Sequence, residues 1–212
     1  MHNGFLNIDN KKMSKSLGNF RTVREIGEKY DLQVFRFFML SAHYRSPLNF
    51  SADLMESSKN ALERIVDAAG RLRDRKEADK SPMTENEQSL LAEAESFRKK
   101  FEEAMDDDFN TADALAAVFE LVKFANTNVT EESTGAFAGA VLDIMVTLCD
   151  VLGLVVLKKE EVLDKDVEEL IQERQAARKA KDFAKADEIR SRLLEMGIEL
   201  KDTREGVKWK RV

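Results

Sequence analysis

Apolar residues recur along most of this chain three and four positions apart, the period of a helix with one buried face. From Ser51, a helix cap, the repeat runs through Leu54, Ala61, Leu62, Ile65 and Leu72. Thr84 and Glu87 form a capping-box pattern ahead of Leu90, Leu91, Ala94, Phe97 and Phe101. Asn110 or Thr111 opens a third repeat at Leu115, Val118, Phe119 and Val122. Thr130 opens a fourth through Phe137, Val141, Ile144, Met145, Leu148 and Leu152, with Gly153 as its stop. The aromatic stripe of Phe97, Phe101 and Phe119 is expected in the core. Connections are short, including a polar hinge from Lys80 to Met83, so the pattern predicts an antiparallel bundle of about four helices.

The ends read differently. Phe5, Leu6 and Ile8 predict a short strand. Thr22 and Glu25 make a capping box for a short helix ending near Tyr30, and Asp31 caps the next, which carries Val34, Phe35, Phe38 and Met39. His43 to Phe50, with Pro47, reads as a loop. Beyond a charged linker from Lys158 to Asp166, two helices are expected at about 165–179 and 182–196, the second stopped by Gly197. The tail IELKDTREGVKWKRV alternates apolar and polar residues around a turn ending at Gly206 and predicts a hairpin. The fold class is mainly α: a short α+β segment at 1–50, the bundle at 51–157, and a small two-helix plus hairpin domain at 158–212. So small a module is marginal alone and should lean on the bundle or a ligand.

Composition narrows the classes. At 43% hydrophobic the chain can build real cores, and with one cysteine it has no disulfide framework and no cysteine-rich zinc site. No apolar run reaches membrane-spanning length and no signal-peptide pattern opens the chain, so a cytoplasmic protein with no membrane partner is expected. The net charge of −6 is unevenly spread. Glu85 to Glu120 holds eleven acidic residues against three basic, while Gln172 to Val212 holds twelve basic against eight acidic. A polyanion would therefore meet the ends rather than the middle.

The run KKMSKSLGNF, residues 11–20, concentrates lysine, serine and glycine directly before a helical stretch. A phosphate-handling loop needs positive point charges, hydroxyl and backbone donors, and freedom to close over its ligand. Lys12, Ser14, Lys15 and Ser16 supply the first two, and Gly18 the third. On pattern alone, a solvated basic loop and a nucleotide loop are equally open.

KMSKS resembles the second signature motif of class I aminoacyl-tRNA synthetases. The longer strings KMSKSLGNFRTVRE, RFFMLSAHYRSPLNFS, EAMDDDFNTADAL and ARKAKDFAKADEIRSRL, in this order, are similar to the cysteinyl-tRNA synthetase family over the whole chain. The resemblance implies activation of cysteine with ATP and Mg2+, then transfer to tRNA(Cys), by a cysteine–tRNA ligase that is expected to act as a monomer. It implies that Lys15 contacts ATP and that Lys12 is its electrostatic partner, with Ser14 and Ser16 shaping the loop. The family's HIGH-like motif, its upstream nucleotide-binding sheet and its zinc site, which binds the cysteine thiol, are not in these residues. The chain therefore reads as a C-terminal portion that is inactive by itself, with Zn2+ in the parent enzyme held elsewhere.

The basic tail carries Arg178, Lys179, Lys181, Lys185, Arg190 and Arg192 around Phe183, with Trp209 on the hairpin. Cations pair phosphates and an aromatic stacks an unpaired base, while Asp187 and Asp202 offer acceptors to base edges. On pattern alone a solvated helix is the favoured explanation of these charges. The resemblance, in which a small C-terminal domain meets the anticodon, selects Arg178, Phe183, Asp187, Arg190, Asp202 and Trp209 as tRNA contacts. Other residues read blandly. His2 and His43 are too far apart for a metal motif, and His43 with Tyr44 and Arg45 is expected to pack a loop near the catalytic domain or acceptor stem. Cys149 sits in an apolar repeat and reads as core. Asp106, Asp107 and Asp108 precede a helix start, where the dipole favours carboxylates, rather than forming a Mg2+ site. The rival activities are a cysteine ligase with an amino-sugar acceptor, which needs no basic aromatic tail, and a non-catalytic RNA-binding fragment.

Overall fold

The computed structural model of the chain describes residues 2–157, 165–179, 182–203 and 206–211, with side chains described outside 165, 166, 168, 179, 199, 201–203 and 206–211. The chain divides into two compact units, Met1–Leu157 and Lys158–Val212.

Four long helices dominate the first unit: α3 (Ala52–Ala78), α4 (Glu85–Asp106), α5 (Thr111–Asn128) and α6 (Gly135–Val151), preceded by α1 (Val23–Gly27) and α2 (Leu32–Leu40). Cross-helix contacts fix their directions. Lys100 pairs with Glu120 and Phe97 meets Phe124, so α4 and α5 run antiparallel. Arg71 donates to Asn126 and Arg64 lies over Phe119, so α3 and α5 run parallel. The shared core includes Ile65, Leu72, Ala94, Phe101, Val118, Leu121, Phe137 and Met145. Phe97 and Phe119 are only partly buried: each gives its ring to a cation, Lys100 and Arg64 respectively, on the bundle's rim. Cys149 is fully enclosed, and burial followed by the charge of Asp150 pushes its thiol up to about 12.

The bundle is pinned where three helix ends meet. Glu87 closes a capping box on Thr84, accepting from its amide at 2.9 Å and its hydroxyl at 3.0 Å. The same carboxylate accepts from the Thr134 amide at 2.7 Å and hydroxyl at 2.9 Å, and Thr134 in turn caps α6. Burial pushes the Glu87 pKa up, but these four donors outweigh it and hold it below the ordinary value. Asp79, beyond α3, accepts from the Gly135 amide at 2.7 Å. A Cβ on Gly135 would sit 1.9 Å from the Asp79 carbonyl oxygen, so only glycine admits this approach. Helix α6 thus starts at Gly135 rather than Thr130, because residues 130–133 close a turn in which Ser133 accepts from the Thr130 amide.

Strands β1 (Leu6–Ile8), β2 (Lys11–Lys12) and β3 (Leu48–Phe50) form a small sheet in the order β2-β1-β3. Strand β3 lies within the stretch expected to be loop. Pro47 ends just before it, and parallel pairing with β1 (Leu6 with Leu48, Ile8 with Phe50) supplies the hydrogen bonds that local sequence does not reveal. Phe50 meets Tyr30, Phe35 and Phe38 edge-on, which fastens the sheet to α2 and so to the bundle core.

The second unit comprises α7 (Lys165–Lys179), α8 (Phe183–Glu195) and an antiparallel hairpin of β4 (Ile198–Thr203) and β5 (Gly206–Arg211). Among the described residues its core holds Val167, Leu170, Ile189, Leu193, Ile198 and Leu200, with Ala177 and Ala186 also buried. Asp182 caps α8 by accepting from the Lys185 amide.

Candidate functional site

The 11–20 loop follows from the β1–β2 turn. Asn7 pairs with Lys12 and Ile8 with Lys11, leaving Asp9 and Asn10 as a two-residue connection, both left-handed at φ 48° and 62°. That is the primed geometry that two-residue hairpins prefer, and short polar side chains tolerate it best. The Asn10 amide donates to the Asn49 side chain at 2.8 Å, locking the turn against β3.

Beyond β2 the loop holds its own shape. Ser14 caps a single 3-10 turn over Lys15–Leu17, accepting from the Ser16 amide at 3.2 Å, with the two hydroxyls 2.7 Å apart. Gly18 ends the turn in the left-handed region at φ 66°. Asn19 braces the loop from both sides, accepting from the Ser14 amide at 2.9 Å and donating to the Lys12 carbonyl at 3.2 Å. Sequence reasoning missed Asn19; only its small polar side chain beside a glycine hints at such a role.

The two lysine amines stay outside this network. Lys12 Nζ lies over the Phe5 ring at 4.6 Å and Lys15 Nζ over the Phe20 ring at 5.5 Å. Both lysines are exposed, and among the described residues no carboxylate lies within ion-pair distance of either. Ring contacts at exposed sites are worth about 0.5–1 kcal/mol, so an arriving phosphate can displace them. The loop thus offers two cations and two hydroxyls on a preformed turn, which suits a polyphosphate.

Asp108 corrects one expectation. The three aspartates do precede the start of α5 but do not cap it: Asp106 ends α4, Asp107 is that helix's C-cap, and Asn110 caps α5 by accepting from the Asp113 amide. Asp108 instead accepts from the Tyr44 hydroxyl at 2.8 Å and pairs with Arg45 at 2.9 Å. The Tyr44 hydroxyl also accepts from Arg45 Nε at 2.8 Å, and that bond, followed by the Asp108 charge, raises the Arg45 pKa. His43 stacks on Tyr44 at 4.7 Å. Among the described residues no three of His, Cys, Asp and Glu converge to hold a metal ion. The described residues do not fit a resident zinc or magnesium.

On α8, Ala186, Ile189 and Leu193 face the core. Phe183, Asp187 and Arg190 are exposed and fall on one stripe, within about 60° of each other and roughly a quarter turn from the core stripe. Leu194, also exposed, continues the stripe and was not foreseen. Phe183 is 63% exposed although it is the largest apolar side chain of its helix. Arg178 is exposed near the end of α7. Lys185 pairs with Glu173 at 2.7 Å, linking α8 to α7, and that hydrogen bond and charge raise its pKa. Asp202 and Trp209 lie on β4 and β5, in register with Val207 and Leu200; their side chains, like Lys179 and Lys181, fall outside the described residues.

Three families match in succession. Residues 1–60 match the tRNA synthetases class I (C) catalytic domain, 100–157 the DALR domain, and 160–209 the cysteinyl-tRNA ligase anticodon binding domain. Proteins named cysteine–tRNA ligase are similar over all of this chain: 60% identical in Lachnospira eligens, 59% in Lachnoclostridium phytofermentans and 54% in Clostridioides difficile. The chain spans about half the length of these relatives, 45%, 46% and 46% respectively. A similar fold, at TM-score 0.58 and 18% identity, occurs in the ternary complex of Agrobacterium radiobacter K84 agnB2 LeuRS with tRNA and LeuAMS, covering 69% of this chain and 20% of that one.

Proposed function

We propose, from the premise that this chain is the C-terminal portion of a cysteinyl-tRNA synthetase, that its two units serve the two halves of cysteine–tRNA ligation. The first unit handles the ATP phosphates while cysteine is activated. The second recognises the anticodon of tRNA(Cys) when the cysteinyl group is transferred. The enzyme would work as a cytoplasmic monomer. Magnesium enters bound to ATP as part of the substrate, and the zinc implied by the resemblance would be held by residues other than those described.

When the cysteine carboxylate attacks the α-phosphate, charge builds on the phosphoryl oxygens and the departing pyrophosphate. A positioned ammonium stabilises that charge more in the transition state than in the ground state. Lys15 is assigned this contact and Lys12 the supporting charge, with Ser14 and Ser16 holding the turn. The carrying observation is that Ser14, Ser16 and Asn19 brace the loop through its own hydrogen bonds while, among the described residues, the Lys12 and Lys15 amines lie over the Phe5 and Phe20 rings and meet no carboxylate. No general acid or base is needed where positioning and electrostatics suffice. On the second unit, Phe183 would stack a base, Arg178, Arg190, Asp187 and Asp202 would contact unpaired nucleotides, and Trp209 would add a further ring. An amino-sugar acceptor is disfavoured by the anticodon-binding match at 160–209.

The test is single-turnover adenylate formation by a full-length enzyme carrying these residues. Lys15→Ala is expected to slow the step roughly a hundredfold, about 3 kcal/mol, while ATP affinity changes much less. An unchanged rate removes Lys15 from the mechanism. Equal losses in affinity and rate mean that it binds ATP without favouring the transition state.

A further inference from the structure

The loop that carries Lys15 hangs from a sheet whose longest strands have three residues, so contacts beyond the ladder, on the Phe50 side and before β1, help to set its position. The residues before β1 lie directly on the 43–46 turn. The Gly4 amide donates to the Tyr44 carbonyl at 2.7 Å, and a Cβ on Gly4 would fall 2.3 Å from the Ser46 carbonyl oxygen. Tyr44 therefore holds β1 with its backbone and Asp108 with its hydroxyl. Apolar packing holds the β3 side of the sheet through Phe50 but is incomplete around the 43–46 turn, where a cavity of about 210 Å3 opens among Phe5, Leu6, Met39, His43 and Tyr44. On the other side, Asp108 and Phe109 both hold left-handed backbone at φ 55°, a costly conformation for non-glycine residues that persists only where the surroundings enforce it. Tyr44 and Arg45 lie in the catalytic-domain match and Asp108 in the DALR match, so this contact joins the two.

We propose that Asp108 is a positioning residue for cysteine activation: through Tyr44 and Arg45 it anchors β1, and so sets where the Lys15 loop meets the ATP phosphates. The inference rests on the reading that this loop stabilises those phosphates. Asp108 touches no reacting atom. Its effect runs through Tyr44, Gly4, β1 and the β2 hairpin to the Ser14 turn, whose link back to β1 is the Met13 amide donating to the Leu6 carbonyl at 3.1 Å.

The experiment measures single-turnover adenylate formation in the full-length enzyme for Asp108→Ala, Asp108→Asn, Lys15→Ala and the Lys15→Ala/Asp108→Ala double variant, with Glu87→Gln as a control that loosens the bundle away from the loop. Asp108→Ala is expected to lower the rate constant about tenfold at unchanged KM for cysteine, and Asp108→Asn, which still accepts from Tyr44, to lose less. In the Lys15→Ala background the Asp108 change should cost little more, since the positioned amine is already gone. Hydrogen exchange in the 212-residue chain should quicken at Gly4 and Gly18 and hold steady in α5. If Asp108→Ala does not fold, Tyr44→Phe, which spares the Asp108–Arg45 pair, reads the same link. Fully additive losses, or a loss no greater than that of Glu87→Gln at equal melting temperature, overturn the anchor while the loop reading stands. An unchanged rate in Lys15→Ala overturns both.

Discussion

The two units place their candidate chemistry on opposite sides of the same trade. In the first, a large core of α2 to α6 supports a loop that contributes nothing to that core; Lys12, Lys15 and Ser16 are all exposed. In the second, a small core, including Ile189 and Leu193 among the described residues, supports a helix whose exposed stripe, a quarter turn from the core stripe, is the candidate RNA surface. A loop outside the core can shift onto a ligand, which suits a contact made as the transition state forms. A stripe on a packed helix arrives preformed, which suits recognition of a ground state. The difference also decides how mutations behave. In the first unit, changes at the loop lysines should leave folding intact. In the second, folding and function share the residues of α8.

The largest expected break in this comparison is Leu193→Ala. Leu193 is fully buried in the smaller core, and its truncation costs about 2–5 kcal/mol, as much as so small a module holds in total. Calorimetry should show the second unit lost and the first melting as before, and tRNA discrimination should vanish with it. Retained discrimination with a folded second unit would mean that the core extends beyond the buried residues described.

Glu87 sharpens the other half. Glu87→Ala removes the acceptor shared by two helix starts and should cost the first unit about 2–3 kcal/mol, or roughly 5–10 °C. The pH dependence has a fixed sign. The Glu87 pKa is lower folded than unfolded, so its stabilisation is full above the ordinary carboxylate range and is lost as pH falls through the lowered folded value. Glu87→Gln should therefore flatten the acid limb of the first unit's melting curve and leave the second unit's unchanged. An acid limb of unaltered slope would assign that dependence to other carboxylates such as Asp79, which is lowered by the Gly135 amide and by Ser81.

Much of this was legible because it is local. The capping boxes at Thr22–Glu25 and Thr84–Glu87, the stop at Gly153 and the three-and-four repeats are written within a few residues, and the structure realises them. What escaped depends on partners far along the chain. Strand β3 exists because β1 pairs with it from 42 residues away. Helix α6 starts late because Glu87 and Asp79 bind its first turn across 47 and 56 residues. Asp108 looked like a dipole partner because its hydrogen bond to Tyr44 spans 64 residues. In the candidate sites, Lys12, Lys15, Ser14 and Ser16 were visible as a motif, whereas Asn19 was not, since a brace leaves no charge pattern. Spacing put Phe183, Asp187 and Arg190 on one face, but the engagement of Lys185 by Glu173 required the neighbouring helix.

The central claim for the second unit, that the α8 stripe contributes to reading the anticodon bases, meets its most direct test in the ratio of affinities of the 212-residue chain for tRNA(Cys) and the same tRNA with an altered anticodon. The ratio is measured across a salt series for the parent and for Arg190→Ala and Asp187→Ala, with folding checked by circular dichroism. Either substitution should shrink the ratio about tenfold while the salt dependence falls by no more than one phosphate contact. Folded variants that keep the parent's ratio and weaken both tRNAs alike would contradict the account and leave the stripe as ordinary solvated helix.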